Sequence, residues 1–312
     1  MTKKESSGSP YCAAYFPEGL TAALGSFDGV HLGHAELIGE AVKNARERGR
    51  ASAVWTFSDE SSSLPGKQGM RSITTLGEKL ELFAELGADY ALLADFESVR
   101  DLSPREFVEE MLRRDCNVRT VVCGFNFSFG KGGAGDPAVL SELMGEENCI
   151  IVPPVCVDGS PVSSSAIRRL IESGDAEEAA KLLGRPFFID FPVVHGKELG
   201  RTIGLPTINQ DFPAGHVIPE KGIYACLVDI GDRSYPGVSN VGTRPTVDDS
   251  GRINCETHII GYSGWLYGEN IKVSFYKRLR GEKKFPDVAS LKAQIERDAA
   301  SALEYFRAQE VK

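Results

Sequence analysis

The stretch GSFDGVHLGH, residues Gly25–His34, decides how the first half of the chain folds. An apolar run from Leu20 to Leu24 precedes it and predicts a β-strand. Apolar residues then recur at helical spacing, at Leu37, Ile38, Ala41, Val42 and Ala45. The sequence therefore places the segment from His31 to His34 where a strand ends and a helix begins.

This turn has the chemistry of a phosphate site. The first N–H groups of a helix have no partner within the helix and carry partial positive charge, so they attract anions. Gly25, Gly29 and Gly33 allow a ligand to approach the backbone closely. His31 and His34 can donate hydrogen bonds to one phosphate. Two alternatives stay open: the histidines cap and pack the helix, or they bind a metal, for which no nearby His or Cys supplies further ligands.

Strands and helices alternate through the first half of the chain. Apolar runs predict further strands at Ala51–Phe57, Tyr90–Ala94, Arg119–Cys123 and Cys149–Val152. Between them, Thr75 with Glu78 and Ser103 with Glu106 have the spacing of capping boxes that begin helices. This alternation is typical of βαβ units, and it predicts an α/β domain with a parallel sheet. Ligands bind such sheets at the carboxyl ends of the strands, where the Gly25–His34 turn lies.

An aromatic segment, GFNFSFG at Gly124–Gly130, directly follows the fourth predicted strand. Its aromatic residues at every second position fit a core-facing strand as well as the wall of a ligand site. A glycine-rich loop, Lys131–Asp136, follows at once. A glycine-rich loop beside aromatic side chains suits a ligand that carries a planar ring and a phosphate.

A serine-rich segment lies at the start of a later predicted helix. Helix capping explains one serine of Ser163-Ser164-Ser165. It does not explain the other two serines or Arg168, one turn further on. Hydroxyls, helix N–H groups and a guanidinium together provide hydrogen-bond donors that suit a triphosphate.

The turn resembles the HxGH motif of the nucleotidylyltransferase superfamily. The longer string GSFDGVHLGH, with the other two segments, more specifically resembles the FMN adenylyltransferase module of bifunctional bacterial FAD synthetases, whose motifs include the flavin-binding GxDFxFGxxxxGD and SSTxxR. The resemblance implies a Rossmann-like domain. It implies nucleotide-binding residues at Gly25, Phe27, Gly33, Ser164 and Ser165. It implies catalytic residues, which stabilise charge as pyrophosphate leaves, at His31, His34 and Arg168. It implies flavin-binding residues at Asn126, Phe127 and Phe129.

The chain departs from this pattern in three places. Ser58-Asp59-Glu60 stands where the family has Pro-His-Pro, and two acids there would repel phosphates. Asn126 replaces an aspartate, and Ser165 replaces a threonine while keeping the hydroxyl. A kinase with a weakened or inactive adenylyltransferase domain is therefore an alternative function.

The second half of the chain has a different pattern. From Phe187 onward, short β-rich runs alternate with turn residues, which predicts an antiparallel β-barrel. A final helix, from about Val288 to Phe306, is expected to bury Leu291, Ile295 and Leu303. We place the boundary between the two domains after residue 184, giving domains of residues 1–184 and 185–312.

A glycine-rich basic segment, Gly196–Asn209, lies between the first strands of the predicted barrel. Its glycines and basic residues indicate a phosphate loop. Thr207 and Asn209 are two apart, so on a strand they face the same side. Their neutral oxygens suit Mg²⁺ that is held mainly by phosphates and water. A solvated strand face is the alternative for these two residues.

The second half resembles riboflavin kinases in five segments: Gly196–Asn209, Asn240–Thr246, Cys255–His258, Leu266–Gly268 and Leu279–Phe285. The resemblance implies nucleotide-binding residues at Gly196, Gly200, Arg201, Thr202 and Gly204. It implies metal ligands at Thr207 and Asn209, a catalytic base at Glu256 and a flavin-binding residue at Arg280. Ile260-Gly261-Tyr262 departs from the pattern, which has an Asp-Phe pair there.

Nearly the whole chain thus resembles the bifunctional riboflavin kinase/FMN adenylyltransferase family. The resemblance implies that riboflavin is phosphorylated to FMN and that FMN is adenylylated to FAD. ATP would be the substrate of both steps, Mg²⁺ the cofactor, and FMN both a product and a substrate. A flavin-binding regulator without turnover is a further alternative. A class I aminoacyl-tRNA synthetase is disfavoured because the chain is short, is acidic and has no KMSKS-like lysine loop.

Composition limits the partners and the compartment. The 312-residue chain has a formal net charge of −9 and no long basic run, which argues against binding nucleic acid. No apolar run approaches the length that crosses a membrane. The seven cysteines are odd in number and form no CxxC pair, so we expect free thiols in a cytoplasmic protein. The oligomeric state is left open.

Overall fold

The computed structural model describes residues 16–58, 69–196, 204–243 and 253–310. The chain divides into two compact units, Met1–Ser164 and Ser165–Lys312. The boundary that the sequence predicts, after residue 184, stays a prediction. No described helix is long and apolar enough to cross a membrane.

The first unit contains a parallel sheet. Its strands are β1 (Leu20–Leu24), β2 (Ala51–Phe57), β3 (Tyr90–Ala94), β4 (Val118–Gly124) and β5 (Cys149–Val152). They lie in the order β3-β2-β1-β4-β5, and each neighbouring pair is parallel. From β1 the chain adds β2 and β3 toward one edge of the sheet, and then β4 and β5 toward the other edge. In sheets of this kind, ligands bind at the point between β1 and β4 where the strand order reverses. The predicted α/β class is confirmed.

Helices cover this sheet. They are α1 (Leu32–Glu47), α2 (Leu76–Glu85), α3 (Phe96–Val99), α4 (Pro104–Glu106, which runs on as a π-helix over Phe107–Asp115) and α5 (Pro137–Met144). Short 3₁₀ turns lie at Lys131–Gly133 and Glu146–Asn148, and a small hairpin pairs β6 (Cys156–Val157) with β7 (Ser160–Pro161). Both predicted capping boxes are present, at Thr75 and at Ser103.

The second unit is built on an antiparallel sheet. Its strands are β8 (Phe187–Pro192), β9 (Thr207–Asp211), β10 (Gly222–Ile230), β11 (Arg233–Thr243), β12 (Ile253–Ile259) and β13 (Asn270–Arg280). They lie in the order β8-β13-β10-β11-β12-β9, with antiparallel neighbours. The remaining helices are α6 (Ser164–Glu172), α7 (Ala176–Leu183) and α8 (Val288–Glu310). The predicted barrel with its C-terminal helix is confirmed.

Two contacts draw the outer strands of this sheet toward each other. The Val194 N–H donates to the Asn209 carbonyl at 2.8 Å, which joins the segment after β8 to β9. Gln210 is fully buried, and its Nε2 donates to the carbonyls of Phe191 and Ile271 at 2.8 and 2.7 Å. The sheet is therefore curled, with Gln210 on its inner face.

Helix α8 covers part of the outer face of the sheet. It packs on Ile223 and Ala225 of β10 and on Val238 of β11. The predicted burial was wrong in detail, because Asp298 and Ala302 are the buried positions of this helix. Leu291, Ile295 and Leu303 are only partly buried. Asp298 is buried because its carboxylate is paired with Arg280 of β13, at 3.0 and 2.6 Å.

Helices α6 and α7 also pack on the barrel. The Glu220 N–H donates to the Ile171 carbonyl at 3.2 Å, and α7 lies against β8 and β13. Gly174, between the two helices, has a φ of +79° and faces the barrel closely. A Cβ at this position would stand 2.7 Å from Arg278 Cδ and 3.1 Å from the Tyr224 hydroxyl.

We expect a fragment of residues 165–312 to be more stable than one of residues 185–312. The shorter fragment loses the buried side chains of α6 and α7, and each buried aliphatic side chain is worth about 1.5–3 kcal/mol. Urea unfolding followed by circular dichroism would measure the difference. Gly174→Ala in the longer fragment should lower its stability. Equal stability of the two fragments would contradict this packing.

Candidate active sites

The turn between β1 and α1 has an unusual backbone. Phe27, Gly29 and Val30 have φ values of +49°, +81° and +39°. Left-handed conformations cost free energy for residues other than glycine and cluster at functional sites. The turn therefore needs support from its surroundings to keep its shape.

Asp28 supplies that support. Its side chain is 1% exposed, and its Oδ1 accepts from the N–H groups of Ile73 and Thr74 at 2.8 and 3.3 Å. The Gly29 N–H donates to Thr74 Oγ1 at 3.0 Å. The Ser164 hydroxyl donates to the Asp28 carbonyl at 2.9 Å. Sequence reasoning missed Asp28 as a supporting residue, although an aspartate between glycines in a turn was a signal.

His31 is the N-cap residue of α1. Its Nδ1 accepts from the His34 N–H at 3.3 Å, which places the proton of the neutral ring on Nε2. The two imidazole rings are stacked, with centroids 3.6 Å apart and planes 14° apart. Gly33 permits this, because a Cβ there would stand 3.3 Å from His31 Cε1. The first turn of α1 carries no acidic residue, so its positive end is not neutralised locally.

Phe27 supports the histidines from the core. Its ring is fully buried, with centroids 5.6 Å from Phe83 and 5.2 Å from His34. Gly25 lies against the same ring, since a Cβ there would stand 3.1 Å from it. The side chain of Phe27 therefore packs beneath the turn, and its predicted nucleotide-binding role would fall to the backbone.

The aromatic segment after β4 begins next to this turn, because β1 and β4 are parallel neighbours in the sheet. Its residues differ in burial. Phe129 is a core residue in contact with Phe107, and Phe127 is half-buried with its ring stacked on that of Phe129 at 5.7 Å. Asn126 is exposed, and Phe125 is 49% exposed. Phe125, which was not among the predicted flavin-binding residues, is thus a more accessible ring than Phe129.

The serine-rich segment is divided between the two units. Ser164 belongs to the first unit and bonds to the turn, whereas Ser165 and Arg168 belong to the second. Arg168 is buried, and its Nη1 lies 3.5 Å from Ser165 Oγ. Of the departures after β2, Ser58 bonds to the Ala94 carbonyl, while Asp59 and Glu60 lie outside the described residues.

A polar face lies on β9, β12 and β11, on the side of the sheet opposite its inner face. Register pairs Asn209 with Glu256, and Glu256 with Asn240. Thr207 and Asn209 lie on one strand and face the same side, as predicted. The Thr207 hydroxyl donates to Glu256 Oε1 at 2.7 Å, so it fixes the carboxylate.

Asn209 is held from several directions. Its Oδ1 accepts from Asn254 Nδ2 at 3.0 Å, and its carbonyl accepts from Val194. Gly196 lies against its amide so closely that a Cβ would collide with Nδ2. Among the described residues, no cluster of three His, Cys, Asp or Glu is arranged to hold a metal. The oxygens of Thr207 and Asn209 nevertheless fit Mg²⁺, which prefers hard oxygen ligands and keeps several waters.

The other predicted kinase residues are placed as follows. Gly204 is exposed with a φ of +78°, and Gly200, Arg201 and Thr202 lie outside the described residues. Arg280 bonds to Asp298 on α8 through both carboxylate oxygens, and its guanidinium lies 6.0 Å from the Phe285 ring centroid. Its role toward flavin stays a prediction.

The thiols of the barrel lie on its inner face. Cys226 and Cys255 are fully buried, and the six described cysteines are free. Burial raises the pKa of Cys255 to about 11 and that of Cys226 as well. Both thiols therefore stay protonated and unreactive at neutral pH.

Comparisons with known proteins match both halves of the chain. A family model described as FAD synthetase matches residues 14–166, and one described as riboflavin kinase matches residues 183–306. Bifunctional riboflavin kinase/FMN adenylyltransferase of Bacillus subtilis (strain 168) is 37% identical over 290 residues, covering 91% of this chain and 92% of the relative. The protein of the same name from Escherichia coli (strain K12) is 37% identical over 294 residues, covering 93% of each.

A solved structure from Streptococcus pneumoniae is also similar over nearly the whole chain. Its TM-score is 0.80 at 31% sequence identity, and the match covers 92% of this chain and 94% of that one. It is titled a macrolide-efflux protein.

We expect Asp28→Ala to destabilise the first unit by about 1–3 kcal/mol, because two buried N–H groups lose their acceptor. Trp55 is 3% exposed in β2, whereas Trp265 is 64% exposed, so tryptophan fluorescence in a Trp265→Phe background reports this unit. Asp28→Asn keeps Oδ1 and should lose less. Unchanged urea unfolding of the alanine variant would contradict the supporting role of Asp28.

Proposed function

Because the chain belongs to the family of bifunctional riboflavin kinase/FMN adenylyltransferases, we infer that it is a transferase with two activities. It forms FMN from riboflavin and ATP, and FAD from FMN and a second ATP with release of pyrophosphate. The observation that carries this function is that each half of the chain matches one family model and contains a polar site suited to phosphate chemistry.

Adenylyl transfer would take place at the turn between β1 and α1. The FMN phosphate attacks the α-phosphorus of ATP, and the bond to the leaving pyrophosphate breaks. The nucleophile is already an anion, so the step requires no general base. The His31 Nε2–H, His34 and the first N–H groups of α1 would stabilise the added negative charge. Ser164, Ser165 and Arg168 are proposed to hold the triphosphate.

Phosphorylation of riboflavin would take place on the polar face of the barrel. The 5′-hydroxyl attacks the γ-phosphorus of ATP, ADP leaves, and Glu256 takes the hydroxyl proton. Thr207 orients the Glu256 carboxylate through its hydrogen bond. Thr207 Oγ1 and Asn209 Oδ1 would hold Mg²⁺, which when bound neutralises phosphate charge. The remaining acceleration comes from positioning the two substrates.

The other site assignments are proposals on the same basis. Residues 1–184 form the adenylyltransferase domain and residues 185–312 the kinase domain. Asn126 and Phe127 contact flavin in the first domain and Arg280 in the second, while the glycines of the Gly196–Gly204 segment approach ATP. The free thiols favour a cytoplasmic enzyme.

A weakened first domain remains the second candidate, favoured by Asp59, Glu60 and the exposed Asn126. Incubation of the purified chain with riboflavin, ATP and Mg²⁺, followed by chromatography of the flavins, distinguishes the two. We expect both FMN and FAD. FMN without FAD at high ATP would establish the second candidate instead.

Single-site variants should separate the two reactions. Glu256→Gln keeps the shape of the side chain but removes the base, so FMN formation should fall about 10²–10⁴-fold. FAD formation from supplied FMN should stay near the wild-type rate. Glu304→Gln, an exposed glutamate on α8, is the matched control and should leave both rates unchanged.

The double variant His31→Ala/His34→Ala should do the reverse. It removes donors aimed at the charge of the transition state, and one such donor is worth about 10²–10³ in rate. FAD formation should fall by at least that factor, while FMN formation from riboflavin is retained. Loss of both activities in a folded Glu256→Gln or double-histidine variant would show that the two sites are wrongly assigned.

A further inference from the structure

We propose that Asn240 binds a hydroxyl of the acceptor alcohol in the kinase reaction, on the side of Glu256 opposite Asn209. The proposal rests on the riboflavin kinase function given above. Register sets Ile223, Asn240, Glu256 and Asn209 in one row across β10, β11, β12 and β9. Cross-strand neighbours on one face have Cβ atoms about 5 Å apart, so Asn240 and Glu256 reach the same small volume.

The side chain of Asn240 faces the Glu256 side of the sheet. Its neighbour Ser239 points to the inner face, where its hydroxyl bonds to Thr257 Oγ1 at 2.8 Å. Side chains alternate along a strand, so Asn240 faces outward with Glu256. On that same outer face, Val238 packs under α8. Asn240 thus stands at the border between the helix-covered strip and the polar strip.

The carbonyl oxygen of the Asn240 side chain is buried, and among the described residues no donor reaches this Oδ1. The opposite end of the amide, Nδ2, lies toward Gly242, since a Cβ there would stand 3.4 Å from it and would collide with Glu282. The amide is therefore oriented with its nitrogen toward Gly242 and its acceptor turned away from that residue.

A buried acceptor without a donor needs a partner that carries a hydrogen. A carbonyl oxygen repels phosphate but accepts from a hydroxyl. Thr207 and Asn209 place the phosphate and metal side of the row on one flank of Glu256, so the alcohol must approach from the other flank. The general base has to lie within hydrogen-bond reach of the 5′-hydroxyl. Asn240 then meets the hydroxyl next along the ribityl chain, on the 4′ carbon.

Asn240 is therefore a determinant of substrate specificity. It selects an acceptor with a hydroxyl beside the reacting one. A polar site loses affinity for an analogue that leaves its buried acceptor unpaired.

The test compares riboflavin with 4′-deoxyriboflavin as kinase substrates of the full-length protein. Wild type should show about a 10-fold lower kcat/KM for the deoxy analogue, as expected for one hydrogen bond. Asn240→Ala should show about a 10-fold loss with riboflavin and no further loss with the analogue. Its KM for ATP and its formation of FAD from FMN should stay at the wild-type values.

Two variants serve as controls. Asn240→Asp keeps an acceptor oxygen and should keep the preference for riboflavin. Val238→Ala, a truncation on the same strand beneath α8, should leave the ratio of the two kcat/KM values at the wild-type value. If the alanine variant does not fold, Asn240→Leu, which has a similar size, replaces it.

An equal penalty for the analogue in wild type and Asn240→Ala would overturn the proposal, because the two losses would then be independent. Absence of FMN formation by wild type would overturn the kinase function and this inference with it. Normal FMN formation with additive losses would overturn the inference alone.

Discussion

The register of three antiparallel strands sets the polar face of the second unit, on which the proposed kinase chemistry depends. On β9, β12 and β11, side chains alternate strictly between the inner and outer faces, so a slip of one residue would exchange them. In the observed register, Asn209, Glu256 and Asn240 stand together on the outer face, while Thr257 and Ser239 bond on the inner face. The bond from Val194 to the Asn209 carbonyl fixes β9 at the edge of this arrangement.

The first unit presents groups suited to phosphate chemistry in a different way. Its candidate site is made largely of backbone, because the proposed anion would be bound by the first N–H groups of α1 and the capping His31. That arrangement depends on a turn with left-handed residues, which the buried Asp28 carboxylate secures through Ile73 and Thr74. The polar face of the barrel, in contrast, offers side-chain oxygens, which suit a cation and a hydroxyl.

Local signals in the sequence were sufficient for much of the fold. The capping boxes at Thr75 and Ser103 and the β1–α1 turn depend on residues within a few positions of each other, and each was predicted. The burial of α8 was not, because Asp298 is buried only through its distant partner Arg280. Asp28 and Asn240 escaped prediction for the same reason, since their roles depend on contacts with other segments or on strand register.

Val30 shows how closely strain and burial are matched in the β1–α1 turn. A β-branched residue at a φ of +39° bears a strain of about 1–3 kcal/mol. Its side chain is buried, however, and burying a valine contributes about 1.5–3 kcal/mol. The two terms nearly offset each other, so exchange between valine and glycine would be close to neutral for folding. The turn that positions His31 and His34 therefore carries little net cost in folding free energy at this residue.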